Sequence, residues 1–336
     1  MLKNCRKAVD RAFELFPQDI FRKKVVIKPN VLRSSAAEEH IVTNPSLLRA
    51  VVEKVEEMSP ASIVVGDNPG LYDYGDNENS FRKTGLMDAS KGYYKNLGDT
   101  TQNIAFNSEL MPYVGVSKEI MDADIFISLP KFKTHGLTVL TGAIKNSYGI
   151  LPGAQKARLH QIAGSPERFH DVIVEVFRLR IPDLFIMDAV VGMEGNGPAS
   201  PELREIGLIL AADNAVALDG VVARMMGLDP GRLRFLQKAK AMGLGDFDPK
   251  MIKIDGEMRI LPDFKLPHLG GEALDNPAVH ELMQTKSQVR PQADPELCTA
   301  CGSCIDRCPV SALTTDLPPL KKRTMAYNDL YLLSFS

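Results

Sequence analysis

A chain of 336 residues, 44 % hydrophobic and 24 % charged, has room for one large α/β domain plus an appendage, or for two domains. Forty basic side chains against forty-two acidic ones leave it near neutral, without the basic excess expected of a nucleic-acid binder. No apolar run approaches the ~18 residues of a membrane span, and the charged N-terminus lacks the apolar stretch of a signal peptide. Neither nucleic acid nor membrane is therefore expected as a partner.

The first segment, MLKNCRKAVDRAFELF, places Cys5, Ala8, Val9, Ala12, Phe13 and Phe16 at helical spacing, so it reads as a helix with one buried face. On that face Cys5 is expected to be a packed core thiol rather than a ligand. Short β-branched runs then alternate with amphipathic segments. VVIK (25–28), SIVVG (62–66), DIFISL (124–129), LFIMD (184–188) and IGLILA (206–211) read as buried strands. Helical patterns cover 45–58, 213–226 and 230–242, the first opened by Pro45 with Asn44 as its cap. The alternation predicts an α/β fold, a mostly parallel sheet flanked by helices.

Polar side chains crowd the strand ends, where open parallel sheets form their sites. The first strand ends in Lys28-Pro29-Asn30 and the second in Gly66-Asp67-Asn68-Pro69-Gly70. The third runs into LPKFKTHGLTVLTGAIKNSYG (129–149), which carries Lys131, Lys133, His135, Lys145 and Asn146. The fourth runs into Asp188 and then Glu194 within GMEGNGP. Lysine supplies a point charge and histidine a group that titrates near neutral pH, so this set predicts a site for a small anionic ligand such as a carboxylate or phosphate. Asp67, Asp188 and Glu194 are candidates to orient those bases or to hold a cation through oxygen. The competing reading makes the acidic residues turn formers and the lysines solvated, and in either case these side chains are expected to add little to packing. His135, His160 and His170 are spread along the chain and read as structural rather than as a metal triad. No dinucleotide fingerprint, P-loop or nucleophile elbow is present.

Beyond residue 255 prolines at 262, 267, 277, 291 and 295 punctuate a stretch of weak periodicity. The chain thus divides into an α/β domain (1–255), a Pro-rich linker (256–288), a cysteine segment (289–318) and a tail (319–336). Cys298, Cys301, Cys304 and Cys308, followed by Pro309, have the C-x-x-C-x-x-C-x-x-x-C-P spacing of a bacterial-type iron–sulfur loop. Soft thiolates at every third residue supply three corners of a 4Fe-4S cluster from one loop. A zinc knuckle would draw on two separated knuckles or on histidine, and none follows Cys308. A disulfide framework is foreign to a long chain with five cysteines and no export signal, and the thiolates point to a reducing cytoplasm. In two-cluster ferredoxins the fourth cysteine of such a run serves the other cluster. Cys308 therefore closes this cluster, or leaves the fourth corner open or to a partner, and the spacing leaves these alternatives standing.

These stretches together resemble the domain of unknown function 362 family, over roughly residues 20–255 plus the cysteine loop. VVIKPNVL (25–32), VTNPSLL (42–48), VVGDNPG (64–70), 122–153, IMDAVVGMEGNGP (186–198) and AADNAVALDGVVARMMGL (211–228) carry the resemblance. It implies an α/β fold with a C-terminal ferredoxin-like segment, and no reaction. Members with that segment usually carry a second cysteine run. Here the chain runs into LYLLSFS, a candidate frame-shifted remnant of one. The functional expectation is an iron–sulfur protein of redox role, with a redox partner protein and an α/β domain that binds a small anion. The alternative is a binding, maturation or metabolite-converting protein whose cluster is structural.

Overall fold

The computed structural model describes residues 2–70 and 76–267, together with a two-residue ladder between Leu313–Thr314 and Ala326–Tyr327. The cysteine run lies outside the described residues. Helix α1 (Leu2–Leu15) precedes β1 (Lys24–Pro29), α2 (Pro45–Glu57) and β2 (Ser62–Val65). Two short helices, α3 (Asn77–Lys83) and α4 (Leu86–Ala89), lead to an antiparallel pair, β3 (Thr101–Ser108) and β4 (Met111–Ser117), which stands apart from the main sheet. After α5 (Lys118–Met121) come β5 (Ile125–Leu129), β6 (Lys131–His135), β7 (Val139–Thr141) and α6 (Ala143–Asn146). Helices α7 (Gly153–Ala163) and α8 (Pro166–Phe177) follow, then β8 (Leu184–Met193), β9 (Leu203–Ala212), α9 (Ala215–Met225) and α10 (Arg234–Ala241).

The main sheet has seven strands in the order β2-β1-β5-β8-β6-β7, with β9 on the other side of β8. Strands β2, β1, β5 and β8 run parallel, whereas β7 and β9 are antiparallel to their neighbours. The five strands read from the sequence are all present. In β1, β5 and β8 the near-continuous apolar runs reflect burial on both faces, because alternate residues enter two separate cores. The expectation that 206–211 is a buried strand is corrected, since β9 runs antiparallel on β8 and of its residues only Ile206 is buried. Val25, Ile27, Ile63 and Ile127 pack with α1 and α2, and Cys5 is buried there as a free thiol. Val26, Phe126, Phe185 and Met187 pack on the other face with α8, α9 and α10. Asn44 caps α2 as expected, its Oδ1 accepting from the Ser46 N–H at 2.8 Å.

Pro130 shapes the region that follows. Having no N–H, it cannot continue a ladder, so the chain breaks there into β5 and β6, both of which pair with β8. Beyond the break, β6 turns back through β7 into α6. The first amides of α6 are met by Asp219 of α9, whose two carboxylate oxygens accept from the N–H groups of Ala143 (2.6 Å) and Ile144 (3.0 Å). A Cβ at Gly142 would lie 2.1 Å from Asp219 Oδ1, so only glycine admits this approach. The first residues of the proline-punctuated segment, up to 267, also lie on the large domain. Phe264 is buried edge-on against Phe132, and the Leu261 N–H donates to the Met225 carbonyl.

Burial raises the Asp219 carboxyl from 3.8 to about 7, against the pull of the two amides it accepts from. With the folded value above the unfolded one, the stability it contributes is complete below about pH 4 and is lost as pH rises through about 7. Relative to Asp219→Asn, the native protein should therefore lose stability across that interval, measured as urea midpoints at a series of pH values. Parallel pH curves for the two proteins would contradict the assignment.

Candidate functional site

The carboxyl ends of β1 and β2, the whole of β6, and α6 bring together most of the polar residues singled out in the sequence. Lys28, buried at the end of β1, forms an ion pair with Asp67 at 2.8 Å and also donates to the Asn146 Oδ1 at 3.3 Å. Asp67 accepts in addition from the backbone N–H groups of Val31 and Asn68. Burial pulls Lys28 down and Asp67 up, each opposed by the attraction of the other. A Cβ on Gly149 would sit 2.2 Å from Asp67 Oδ1 and 2.7 Å from Lys28 Nζ, so a bare backbone closes the pair from above.

Period-two alternation along β6 sets Lys131, Lys133 and His135 on one face and Phe132 and Thr134 on the other. Lys131 Nζ donates to Asp188 Oδ2 at 2.7 Å. That same carboxylate accepts from the Asn44 N–H at the start of α2 and from the Val190 N–H, so one buried aspartate ties β6, β8 and α2 together. Lys133 Nζ donates to the Ile41 carbonyl at 2.8 Å and has no carboxylate partner among the described residues. Burial, followed by the charges of Lys145 and Lys131, pushes Lys133 well below the usual lysine range. His135 Nδ1 accepts from the N–H groups of Leu137 (3.1 Å) and Thr138 (3.4 Å), which puts the ring proton on Nε2. Burial first, then the Lys145 charge, holds this imidazole neutral.

On α6, Asn146 is a bridge. Its Oδ1 accepts from Asn30 Nδ2 at 3.0 Å, and its Nδ2 donates to the Ser128 Oγ at 2.9 Å. Lys145, its neighbour, is half-buried over the Phe169 ring, 5.9 Å from the centroid. Burial and the charge of Lys28 bring it down to about 8. Asn30 Oδ1 and Ser147 Oγ are inaccessible and have no hydrogen-bond partner among the described residues.

Glu194 stands apart from this group. It pairs with Arg204 at 3.0 Å and accepts from the Lys265 N–H, so its carboxylate fastens β8 and β9 to the chain at 265. The expectation that strand-end lysines do little packing is also corrected. Lys28, Lys131 and Lys133 are among the largest fully buried side chains, because the loops after β1 and β2 and helix α6 close over them.

Sequence reasoning missed two buried charges. Lys156 of α7 donates to the carbonyls of Asn68 and Pro69 and is lowered to about 7 by burial. It shares a helical face with Leu159 and Ala163, and a lysine on an apolar face was the available signal. Asp219, an aspartate inside the apolar run of α9, gave the same kind of signal. The three histidines are closer together than their spacing suggested: His160 stacks on Phe169 at 4.2 Å, and His170 Nε2 lies 2.9 Å from the Leu137 carbonyl, next to the loop that holds His135. Among the described residues no group of three His, Cys, Asp or Glu side chains is placed to hold a metal ion.

Comparison with known proteins adds the family to which this lysine-rich strand edge belongs. A model described as Domain of unknown function (DUF362) matches residues 25–224, more than half of the chain. The chain belongs to this family. Every residue of the lysine group lies inside the DUF362 span. A second model, the 4Fe-4S binding domain, matches residues 291–314, which contain all four cysteines of the run. A thylakoid-associated protein of Synechocystis sp. is 32 % identical over 225 residues, covering 66 % of this chain and 68 % of that protein. A solved structure from Thermotoga maritima aligns with 72 % of this chain and 58 % of that chain, at 11 % identity and a TM-score of 0.43. No helix among the described residues is long and apolar enough to cross a membrane.

The Lys28–Asp67 pair gives a test of how this edge is built. Removing one member of a buried pair strands the other, at a cost of about 3–5 kcal/mol, whereas replacing both with apolar groups costs much less. Lys28→Met should therefore lower the urea midpoint sharply, and Lys28→Met with Asp67→Leu should recover most of the loss. A double variant as unstable as the sum of the two single ones would show that the pair is not the unit.

Proposed function

We propose that the DUF362 domain binds a small carboxylate or phosphate among the lysines at its strand ends, and that the cysteine run holds a 4Fe-4S cluster with a redox role. The observation that supports the first half is the imbalance of buried charge. Two of the lysines are matched by carboxylates, while Lys133 and Lys145 meet only a carbonyl and an aromatic ring. An anion placed beside those two supplies the missing charge through charge-assisted hydrogen bonds, which are roughly twice as strong as neutral ones. Neutral His135 adds an N–H donor, and the Ser147 hydroxyl, which has no partner among the described residues, can donate as well.

The donor set of the C-terminal run supports the second half. Four thiolates in this spacing suit iron–sulfur ligation, and such a cluster supplies single-electron chemistry when bound. A reducing compartment such as the cytoplasm and a protein that delivers or collects electrons follow from that reading.

Calorimetry of the anaerobically purified full chain with inorganic phosphate, sulfate and small carboxylates tests the anion site. We expect saturable binding by at least one of them, weakened about tenfold or more in Lys133→Met. No binding by any of them would remove the site. For the cluster, dithionite should bleach the visible absorbance and produce a paramagnetic signal. A redox-silent cluster required for folding would instead assign it a structural role.

A further inference from the structure

We propose that Lys145 is an amine nucleophile, and that the anion of this site is a 2-oxo acid whose carbonyl carbon it attacks to form a Schiff base. The inference rests on the anion site proposed above and names its substrate class.

Lys145 differs from the other lysines of the group in what its ammonium touches. Lys28 is held by Asp67, Lys131 by Asp188, Lys133 by the Ile41 carbonyl and Lys156 by the carbonyls of Asn68 and Pro69. Among the described residues the Lys145 ammonium has neither a carboxylate nor a hydrogen-bond acceptor, only the Phe169 ring. Its backbone is nonetheless fixed from both sides. Asp219 holds the amides of Ala143 and Ile144, and the next residue, Asn146, is bonded to Lys28, Asn30 and Ser128. A half-buried amine carried on a fixed support and bonded to no acceptor among the described residues is suited to covalent chemistry rather than to packing.

Its surroundings favour the neutral, nucleophilic form. Lys28 of β1 acts on Lys145 directly, and the Lys145 charge is in turn felt by Lys133 and His135 of β6 and by Lys156 and His160 of α7. The carboxylates of this edge, Asp67 and Asp188, are committed to Lys28 and Lys131. An ammonium in a partly desolvated, cationic setting gives up its proton more readily than one in water.

The same setting selects the substrate. Lys28, whose charge acts on Lys145, favours a negative charge close to the reacting atom, and in a 2-oxo acid the carboxylate is one bond from the carbonyl carbon. In the step itself the amine nitrogen bonds to that carbon. The C=O oxygen takes up the two amine protons and leaves as water, and a C=N bond remains. No oxidant or reductant is consumed. His135, with its proton on Nε2, would donate a hydrogen bond to the departing oxygen and keep that proton.

The test is borohydride trapping with pyruvate as the probe, on the full-length protein purified without oxygen, followed by peptide mapping. We expect one reduced adduct, on Lys145, with none from lactate under the same treatment. Labelling should rise with pH as the Lys145 ammonium gives up its proton. Lys145→Arg keeps the charge and should lower labelling by about twentyfold or more. Absence of an adduct at Lys145, or equal labelling of several exposed lysines, overturns the proposal. If phosphate or lactate still binds by calorimetry in that case, the anion site stands and only the Schiff base falls. Loss of both signals removes the anion reading as well.

Discussion

Burying a lysine at the carboxyl edge of a sheet is costly unless its charge is matched, and this edge buries more lysines than it has carboxylates to match them. The two ion pairs that do form hold the architecture together. Lys28–Asp67 joins the ends of β1 and β2, and Lys131–Asp188 joins β6 to β8 and, through the Asn44 amide, to the start of α2. Lys133 and Lys145 are left with a carbonyl and a ring. An edge selected for stability alone would replace them with apolar side chains of similar volume, often at no cost. Their presence is the physical basis for treating this edge as a site.

The remaining architecture serves to bring these residues into reach of one another. Pro130 ends β5 and lets β6 carry three polar side chains along one face. Gly149 lets the backbone close over the Lys28–Asp67 pair, and Gly142 admits Asp219 to the first amides of α6. Asn146 then ties α6 to β1 and β5. Lys145 is thus fixed by buried polar contacts on both sides of it in sequence, while its own side chain remains unengaged. Such an arrangement is rigid in the support and free in the reactive group.

Much of this was legible before the structure. Strands announced themselves through β-branched runs, and the strand-end positions of Lys28 and Asp67 followed from the polar residues directly after them. Lys131 and Lys133 instead lie within β6, and Lys145 and Asn146 on α6, two elements the linear pattern does not reveal. The sequence could not separate Glu194 from the group, because its partner Arg204 lies on a neighbouring strand whose register a linear pattern does not reveal. Strands β3 and β4 went unread because their pairing rests on contacts between 101–117 with no strong turn signal. Lys156 and Asp219 were hidden for a different reason: on helices, a single charge within an apolar face looks like noise until its partner is known. Burial of the lysines themselves was misjudged, since closure of the strand edge depends on loops and α6 folding over it, a long-range event that local pattern does not encode.

The 4Fe-4S binding motif and the lysine edge belong to one chain. Nuclear magnetic resonance of protein carrying isotope-labelled lysine side chains reads the charge state of the lysine edge. Lys145 should titrate near 8 rather than at the ordinary 10.5, and its titration should move upward when a bound anion supplies the missing charge. Titration at the ordinary value, unmoved by any anion offered, would contradict both.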